Sequence, residues 1–138
     1  MKRIVIVLAV AALSVGFSNR HPEELKVVFD LTSRDTLDQK AVLQWIKEIT
    51  TENPQAEIEV VMHGAGFELV MPDRSKFIPA VEAAMRNRNV EFKVGDASLK
   101  QAVVLKSQLL ARVEIVPDGI HELVEKQQEK WAYIKVGH

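Results

Sequence analysis

Apolar residues occur along this chain in two alternating patterns, short blocks and longer stretches with helical spacing. The short blocks predict five strands, at residues 26–32, 57–62, 90–94, 113–116 and 132–136. The first of them is apolar at nearly every position, which is typical of a parallel-sheet strand buried on both faces. Asp30 interrupts this strand, and a carboxylate there needs a partner or a place near the sheet edge.

The stretches between the strands have the spacing of amphipathic helices. Residues 36–50 carry one apolar stripe, formed by Val42, Trp45, Ile46 and Ile49. Thr36 and Gln39 have capping-box spacing at the start of this helix. A second helix is predicted at residues 77–87, where Pro79 is tolerable only in the first turn.

Two further helices are predicted in the second half of the chain. Asp96 or Ser98 is expected to cap a short helix, because short oxygen-bearing side chains satisfy the first backbone N–H groups of a helix. The last helix follows Asp118-Gly119 and is predicted to bury three apolar residues, Ile120, Leu123 and Val124. Residues 67–71 fit a short strand or a helical turn equally well.

Strands and helices alternate throughout, and connections of this length favour right-handed crossovers between parallel strands. The predicted fold is therefore α/β: a three-layer α/β/α sandwich around a five-stranded, mostly parallel sheet. It occupies residues 25–138 as one domain.

The segment before this domain has the layout of a secretory signal peptide. Lys2 and Arg3 precede the apolar run 4–17, and small or polar residues follow it. Residues 1–18 are thus predicted to be a signal peptide, and the protein to be periplasmic or otherwise exported. The alternative is a membrane anchor through residues 4–17, although a span needs roughly 20 apolar residues.

Charge and cysteine content narrow the possible functions. Export would remove Lys2 and Arg3, leaving 16 basic residues against 19 acidic ones and a net charge of −3. Nothing in this balance predicts nucleic-acid binding, which needs a clustered basic patch. The chain has no cysteine, which excludes thiolate nucleophiles and cysteine-ligated metals on this chain. The four histidines show no metal-ligand spacing, so neither a metal nor a cofactor is predicted.

Polar residues and glycines follow the predicted strands, where ligands bind in open α/β sheets. The expected crevice is lined by residues from three strand ends: Asp30, Thr32, Ser33, His63, Gly64, Gly66, Gly95, Asp96 and Ser98. An acid–base set built from His63 and Asp96 is one interpretation. Helix capping, tight turns and an inert, hydrogen-bonded histidine are the structural alternatives.

The order of motifs resembles the DsrE/DsrF-like family of small sulfur-relay proteins, from about Lys26 to Lys135. The resemblance rests on four features: His63-Gly64-x-Gly66, the strand, loop and helix at residues 91–99, Val116-Pro117-x-Gly119, and Ala132-Tyr133-Ile134. It implies an α/β/α fold and an oligomer. It also implies a reactive cysteine that carries sulfane sulfur directly after the third strand, where this chain has Gly95.

Three functional hypotheses follow from this resemblance and its missing cysteine. The first is a non-catalytic, oligomeric binding or accessory protein linked to sulfur metabolism. The second is a small-molecule enzyme that uses His63 and Asp96, with Asp30 as a further candidate. The third is a subunit whose cysteine lies on a sulfur-relay paralogue. A homodimer or homotrimer is expected because the resemblance implies an oligomer. Trp131 and Tyr133 also share one face of the last strand, which is either core or subunit interface.

Export is the first testable prediction. Mass spectrometry of the protein from its native host should find a mature N-terminus near Phe17 or Asn19. Intact Met1 in the cytosolic fraction would contradict it.

Overall fold

The computed structural model describes residues 24–137, so the predicted signal peptide lies outside the described residues. The elements follow the predicted alternation: β1 (Lys26–Leu31), α1 (Thr36–Glu52), β2 (Glu57–Met62), a 3-10 helix (Gly66–Val70), α2 (Ile78–Met85), β3 (Val90–Gly95), α3 (Asp96–Ala102), a second 3-10 helix (Lys106–Gln108), β4 (Glu114–Val116), α4 (Gly119–Gln128) and β5 (Ala132–Val136). Within residues 24–137, no helix combines the length and apolar character needed to cross a bilayer.

All five strands are parallel and lie in the order β4-β3-β2-β1-β5. The two strands next to β1 are therefore its sequence neighbour β2 and the last strand, β5. Helices α1 and α2 pack on one face of the sheet, and α4 packs over β1, β2 and β3 on the other. The predicted three-layer sandwich with a parallel sheet is confirmed.

The two faces of the sheet differ in how they are covered. On the α1 and α2 face, most of the buried apolar residues form one continuous core, with Phe29, Ile46, Ile58, Met62 and Phe92 among its largest members. On the α4 face, the buried apolar cluster consists of Val28, Val61 and Leu123, with Trp131 packed against it. The α4 face of the sheet also carries polar residues, so α4 has little apolar surface to cover.

This difference corrects the prediction for α4. Leu123 is buried as expected, but Ile120 is 53% exposed and Val124 is 44% exposed. The helix presents a second apolar side to solvent, because its contact with the sheet is made through one narrow line of residues. We call Ile120 and Val124 the α4 stripe.

The predicted helix starts also need correction. Asp35, one residue before Thr36, caps α1 by accepting a hydrogen bond from Leu37 N, and Gln39 is buried instead of completing a capping box. The residue at the cap position of α3 is Gly95, which offers no side chain, so the prediction that Asp96 or Ser98 caps this helix is wrong. Pro79 lies in the first turn of α2, as required.

Two other predictions are resolved by packing. The ambiguous segment at residues 67–71 is a 3-10 turn that buries Phe67, Leu69 and Val70. Trp45, predicted as core, stacks on Phe29 with ring centroids 6.1 Å apart. Trp45 is nevertheless only partly buried, since 36% of the residue is exposed.

Candidate functional site

The candidate site lies at the carboxyl ends of β3 and β4, where the chain crosses from one face of the sheet to the other. The chain leaves β3 into α3, whose Leu99 joins the core on the α1 and α2 face, and it leaves β4 into α4 on the opposite face. In parallel α/β sheets, a switch of this kind opens a crevice for ligands. Here it lies between the last residue of β3, Gly95, and the first residue of α4, Gly119.

Backbone fills this crevice at the level of Gly95. A Cβ atom on Gly95 would lie 2.9 Å from the backbone nitrogen of Gly119, too close for any side chain unless α4 moved. Gly119 in turn lies against His63, since a Cβ there would be 2.9 Å from the His63 Cβ. The two glycines therefore allow β3, α4 and the residue after β2 to pack in direct contact.

A hydrogen-bonded trio of side chains lies beside this contact, on the α4 face. His63 Nε2 is 2.7 Å from Asp30 Oδ1, and the Tyr133 hydroxyl donates to Asp30 Oδ2 at 2.6 Å. Three strands supply the trio: Asp30 is in β1, Tyr133 is in β5, and His63 directly follows β2. The predicted need of Asp30 for a partner is thus met twice.

The trio has a defined charge distribution. Burial of the Asp30 carboxyl favours its neutral form, but hydrogen bonds from His63 and Tyr133, with Lys135 nearby, outweigh burial and lower the pKa of Asp30. The hydrogen bond to this carboxylate raises the pKa of Tyr133 to about 12. Tyr133 is therefore a neutral donor at physiological pH. Because an ionised Asp30 can only accept, His63 Nε2 carries a proton and Nδ1 is the ring nitrogen that can meet a ligand.

The other predicted crevice residues shape the surrounding loops. Gly64 has φ of +57° and donates its N–H to Ser98 Oγ at 2.9 Å, so Ser98 ties the loop after β2 to α3. Gly66 packs on β1, where a Cβ would lie 2.0 Å from the Leu31 carbonyl oxygen. The Thr32 carbonyl accepts from Ala65 N at 3.1 Å. These contacts hold the β2 loop over the end of β1.

Ser33 and Asp96 take part in local contacts elsewhere. Ser33 Oγ accepts a hydrogen bond from Asp35 N at 2.9 Å, ahead of α1. Asp96 pairs with Lys100 at 2.6 Å on α3. Within residues 24–137, no hydrogen bond or ion pair joins Asp96 to His63, and the carboxylate that contacts His63 is Asp30.

Tyr133 is the site residue that the sequence analysis missed as a polar group. The sequence places Tyr133 on one face of the last strand. Its partner on that face depends on which strand lies next to it in the sheet. In the register of β1 and β5, Tyr133 lies opposite Val28 and Lys135 lies opposite Asp30. The Tyr133 hydroxyl therefore reaches the carboxylate of Asp30, two residues further along β1. An apolar strand with one carboxylate, together with a terminal strand bearing a tyrosine, is the pattern that would have indicated this contact.

The arrangement suits binding of a polar group. Among the residues that the structure describes, no group of three or more histidine, aspartate or glutamate side chains is placed to hold a metal ion. The trio offers one imidazole edge, one phenol and one shielded negative charge. These groups can orient a hydrogen-bonding ligand or partner group at the α4 face.

An all-parallel five-stranded sheet, with α4 on one face and a polar site at its strand ends, defines a small α/β sandwich protein. The model of the DsrE/DsrF-like family matches residues 26–136. This chain belongs to that family, and membership suggests a function related to sulfur metabolism. A search of curated proteins gives no match.

Solved structures share the fold. A protein of unknown function, MTH1491, from Methanobacterium thermoautotrophicum is similar with a TM-score of 0.74 and 24% identity, over 80% of this chain and 98% of that one. A conserved protein of unknown function, BT1422, from Bacteroides thetaiotaomicron is similar with a TM-score of 0.65 and 14% identity, over 80% and 94%. At these identities, the similarity establishes the fold alone.

Removing the Tyr133 hydroxyl tests the trio. Tyr133→Phe should lower the free energy of unfolding at pH 7 by about 0.5–1.5 kcal/mol, the range for one hydrogen bond. A lowered Asp30 pKa stabilises the fold above the unfolded value of 3.8, and this stability is lost as pH falls through the folded pKa. Losing the phenol raises that pKa, so acid unfolding of the variant should begin at a higher pH.

Chemical denaturation between pH 3 and 7 measures both effects. The control is the same substitution in an Asp30→Asn background, where the charged acceptor is gone and the effect of Tyr133→Phe should shrink. An equal effect in the two backgrounds would show that Tyr133 contributes through packing alone.

Proposed function

We propose that this protein is a non-catalytic, oligomeric member of its family that binds a ligand or partner and does not itself carry sulfur. The observation that supports this most directly is Gly95. It occupies the position that the family resemblance assigns to the reactive cysteine, and the chain has no cysteine anywhere. Sulfur relay through a persulfide needs a thiolate nucleophile.

The packing around Gly95 supports the same proposal. The backbone of Gly119 closes the space that a side chain at residue 95 would need. The crevice in which a sulfur-carrying side chain would lie is therefore closed on this chain. This closure is a second obstacle, separate from the absence of a cysteine at residue 95. A role in sulfur metabolism would then be carried out through a second protein, such as a cysteine-bearing paralogue.

The α4 face is the surface we propose for association. The α4 stripe leaves Ile120 and Val124 exposed, and Tyr133 on the same side of the sheet is 40% exposed. Exposed apolar residues rimmed by polar ones are typical of interaction sites. We propose a homodimer or homotrimer that uses this face, in a protein exported by its N-terminal segment.

Purified protein should not transfer sulfur from thiosulfate or a persulfide donor to an acceptor thiol, because it has no group that can form a persulfide. An enzymatic assay of sulfur release measures this. Sulfur transfer by the chain alone, at a rate above the uncatalysed reaction, would overturn the proposal.

A pair of introduced cysteines serves as the structural control. Gly95→Cys should lower the free energy of unfolding by about 1–3 kcal/mol, the usual effect of overpacking, because its Cβ meets the Gly119 backbone. Ala97→Cys, at an exposed position of α3, should change it by less than about 0.5 kcal/mol. Similar stability of both variants would show that the crevice can open.

Light scattering after gel filtration tests the association. The wild-type protein should have the mass of a dimer or trimer, and Ile120→Glu should shift it to monomer by placing a charge in the α4 stripe. Val103→Glu is the matched control, since Val103 is 87% exposed at the end of α3 and should not alter the mass. A monomeric wild-type protein at tens of micromolar would exclude the proposed interface.

A further inference from the structure

Four charged side chains form a cluster between the sheet and α4. Lys93 Nζ lies 2.9 Å from a Glu59 oxygen and 2.9 Å from a Glu122 oxygen. Lys126 Nζ lies 3.4 Å from Glu59 and 3.9 Å from Glu122. Glu59 and Lys93 belong to β2 and β3, whereas Glu122 and Lys126 belong to α4. The contact between Lys93 and Glu59 therefore joins neighbouring strands. The contacts of Lys93 with Glu122 and of Lys126 with Glu59 join the helix to the sheet.

The cluster is shielded from water at its centre. Glu59 is fully buried, and the side chains of Lys93 and Glu122 are only 10% and 12% exposed. Both lysines are close to Glu59, yet neither of its oxygens receives a hydrogen bond of good geometry. A buried carboxyl group held in this way has no hydrogen bond that would favour its ionised form, so its protonation state affects the energy of the whole cluster.

We infer that Glu59, Lys93, Glu122 and Lys126 form a proton-sensitive latch that fastens α4 to the sheet and so controls how firmly α4 closes the crevice beside Gly95. The apolar contribution to this contact is small, since the buried cluster on this face comprises Val28, Val61 and Leu123. The helix that the latch holds begins at Gly119, which lies against both Gly95 and His63.

The two carboxyl groups respond to pH in opposite directions. Burial, together with the neighbouring Glu122 carboxyl group, raises the pKa of Glu59 to about 7 despite both lysines. Burial of Glu122 is outweighed by the neighbouring Glu59 carboxyl group and by the hydrogen bond from Lys93, so the pKa of Glu122 is lowered. At mildly acidic pH, a protonated Glu59 can therefore donate to an ionised Glu122 and join β2 directly to α4.

The sign of the effect follows from linkage. Glu59 has a raised pKa, so its contribution to docking is complete below its unfolded value of 4.5 and is lost as pH rises through about 7. Glu122 has a lowered pKa, so its contribution is present above 4.5 and is lost on acidification below that value. The latch should be firmest between these limits and should weaken at mildly alkaline pH.

The remaining charged groups around Glu59 lie further out. Glu91 on β3 is 3.6 Å from Lys93, and Glu129 is 3.6 Å from Lys126, which also lies 4.7 Å from the centre of the Trp131 ring. Glu57 and Arg88 join Glu59 and Lys126 in lining a hollow of about 310 Å³ at the amino ends of the strands.

Native-state hydrogen exchange tests the latch on the intact chain. After correction for intrinsic exchange rates, amides at residues 123–127 of α4 should be less protected than those in the middle of α1. Their protection should fall about tenfold between pH 6 and pH 8, the factor expected for one proton bound with a pKa of about 7. Equal protection of α4 and α1, or an α4 response without pH dependence, would overturn the inference.

Two variants identify the group responsible. Glu59→Gln should abolish the tenfold change while leaving His63 and His121 in place, so any response from those histidines would persist. Glu91→Gln, a neighbouring glutamate with an exposed side chain, should retain the change. If Glu59→Gln does not fold, carbon-13 NMR of the wild-type glutamate carboxyl groups decides the matter, and a Glu59 signal that titrates below pH 5 would refute the latch.

Discussion

The arrangement of this protein depends on how one helix, α4, is held against a sheet face that is only partly apolar. On the opposite face, α1 and α2 bury a continuous apolar core, and packing alone accounts for their position. On the α4 face, three buried apolar residues share the contact with Glu59 and Lys93. The hydrophobic effect is roughly proportional to the apolar area buried, so α4 depends unusually strongly on the polar contacts made by Glu59, Lys93, Glu122 and Lys126 beside that small cluster.

The candidate site inherits this dependence. Gly119 is the first residue of α4, and it separates Gly95 from His63 by no more than its own backbone. Any shift of the helix therefore changes the space beside β3 and the support behind His63 together. A shift of α4 affects Asp30 and Tyr133 less, because these residues lie on paired strands of the sheet, β1 and β5. The site thus combines two fixed side chains with one whose support is adjustable.

Local patterns in the sequence predicted the elements well, and the interactions between distant elements much less well. Apolar spacing identified five strands and the main helices, because burial on one or two faces leaves a period that can be read directly. It misplaced Ile120 and Val124, since a helix with apolar residues on two sides gives no sign of which side meets the sheet. The sequence pattern predicts that Asp30 needs a partner. It does not identify His63 and Tyr133, because they are 33 and 103 residues away along the chain.

The cap predicted at Asp96 failed for a different reason. Residue type alone made Asp96 and Ser98 good candidates, but the helix already starts at Asp96, directly after a strand whose last residue is glycine. This is one residue earlier than a cap at Asp96 requires and three residues earlier than a cap at Ser98 requires. Their side chains are used instead for Lys100 and for Gly64 N. No local pattern in the sequence predicts the strand order. This order places β5 beside β1 and so brings Tyr133 to the site.

The close contact between Gly95 and Gly119 also bears on how this chain can change over evolutionary time. A single substitution that introduced cysteine at residue 95 would place its Cβ against a backbone nitrogen, which cannot rotate away as a side chain can. A relative with a thiol at this position is therefore separated from this chain by at least one further change that moves α4. The intermediate sequence would be less stable than this chain, so the two forms should interconvert rarely.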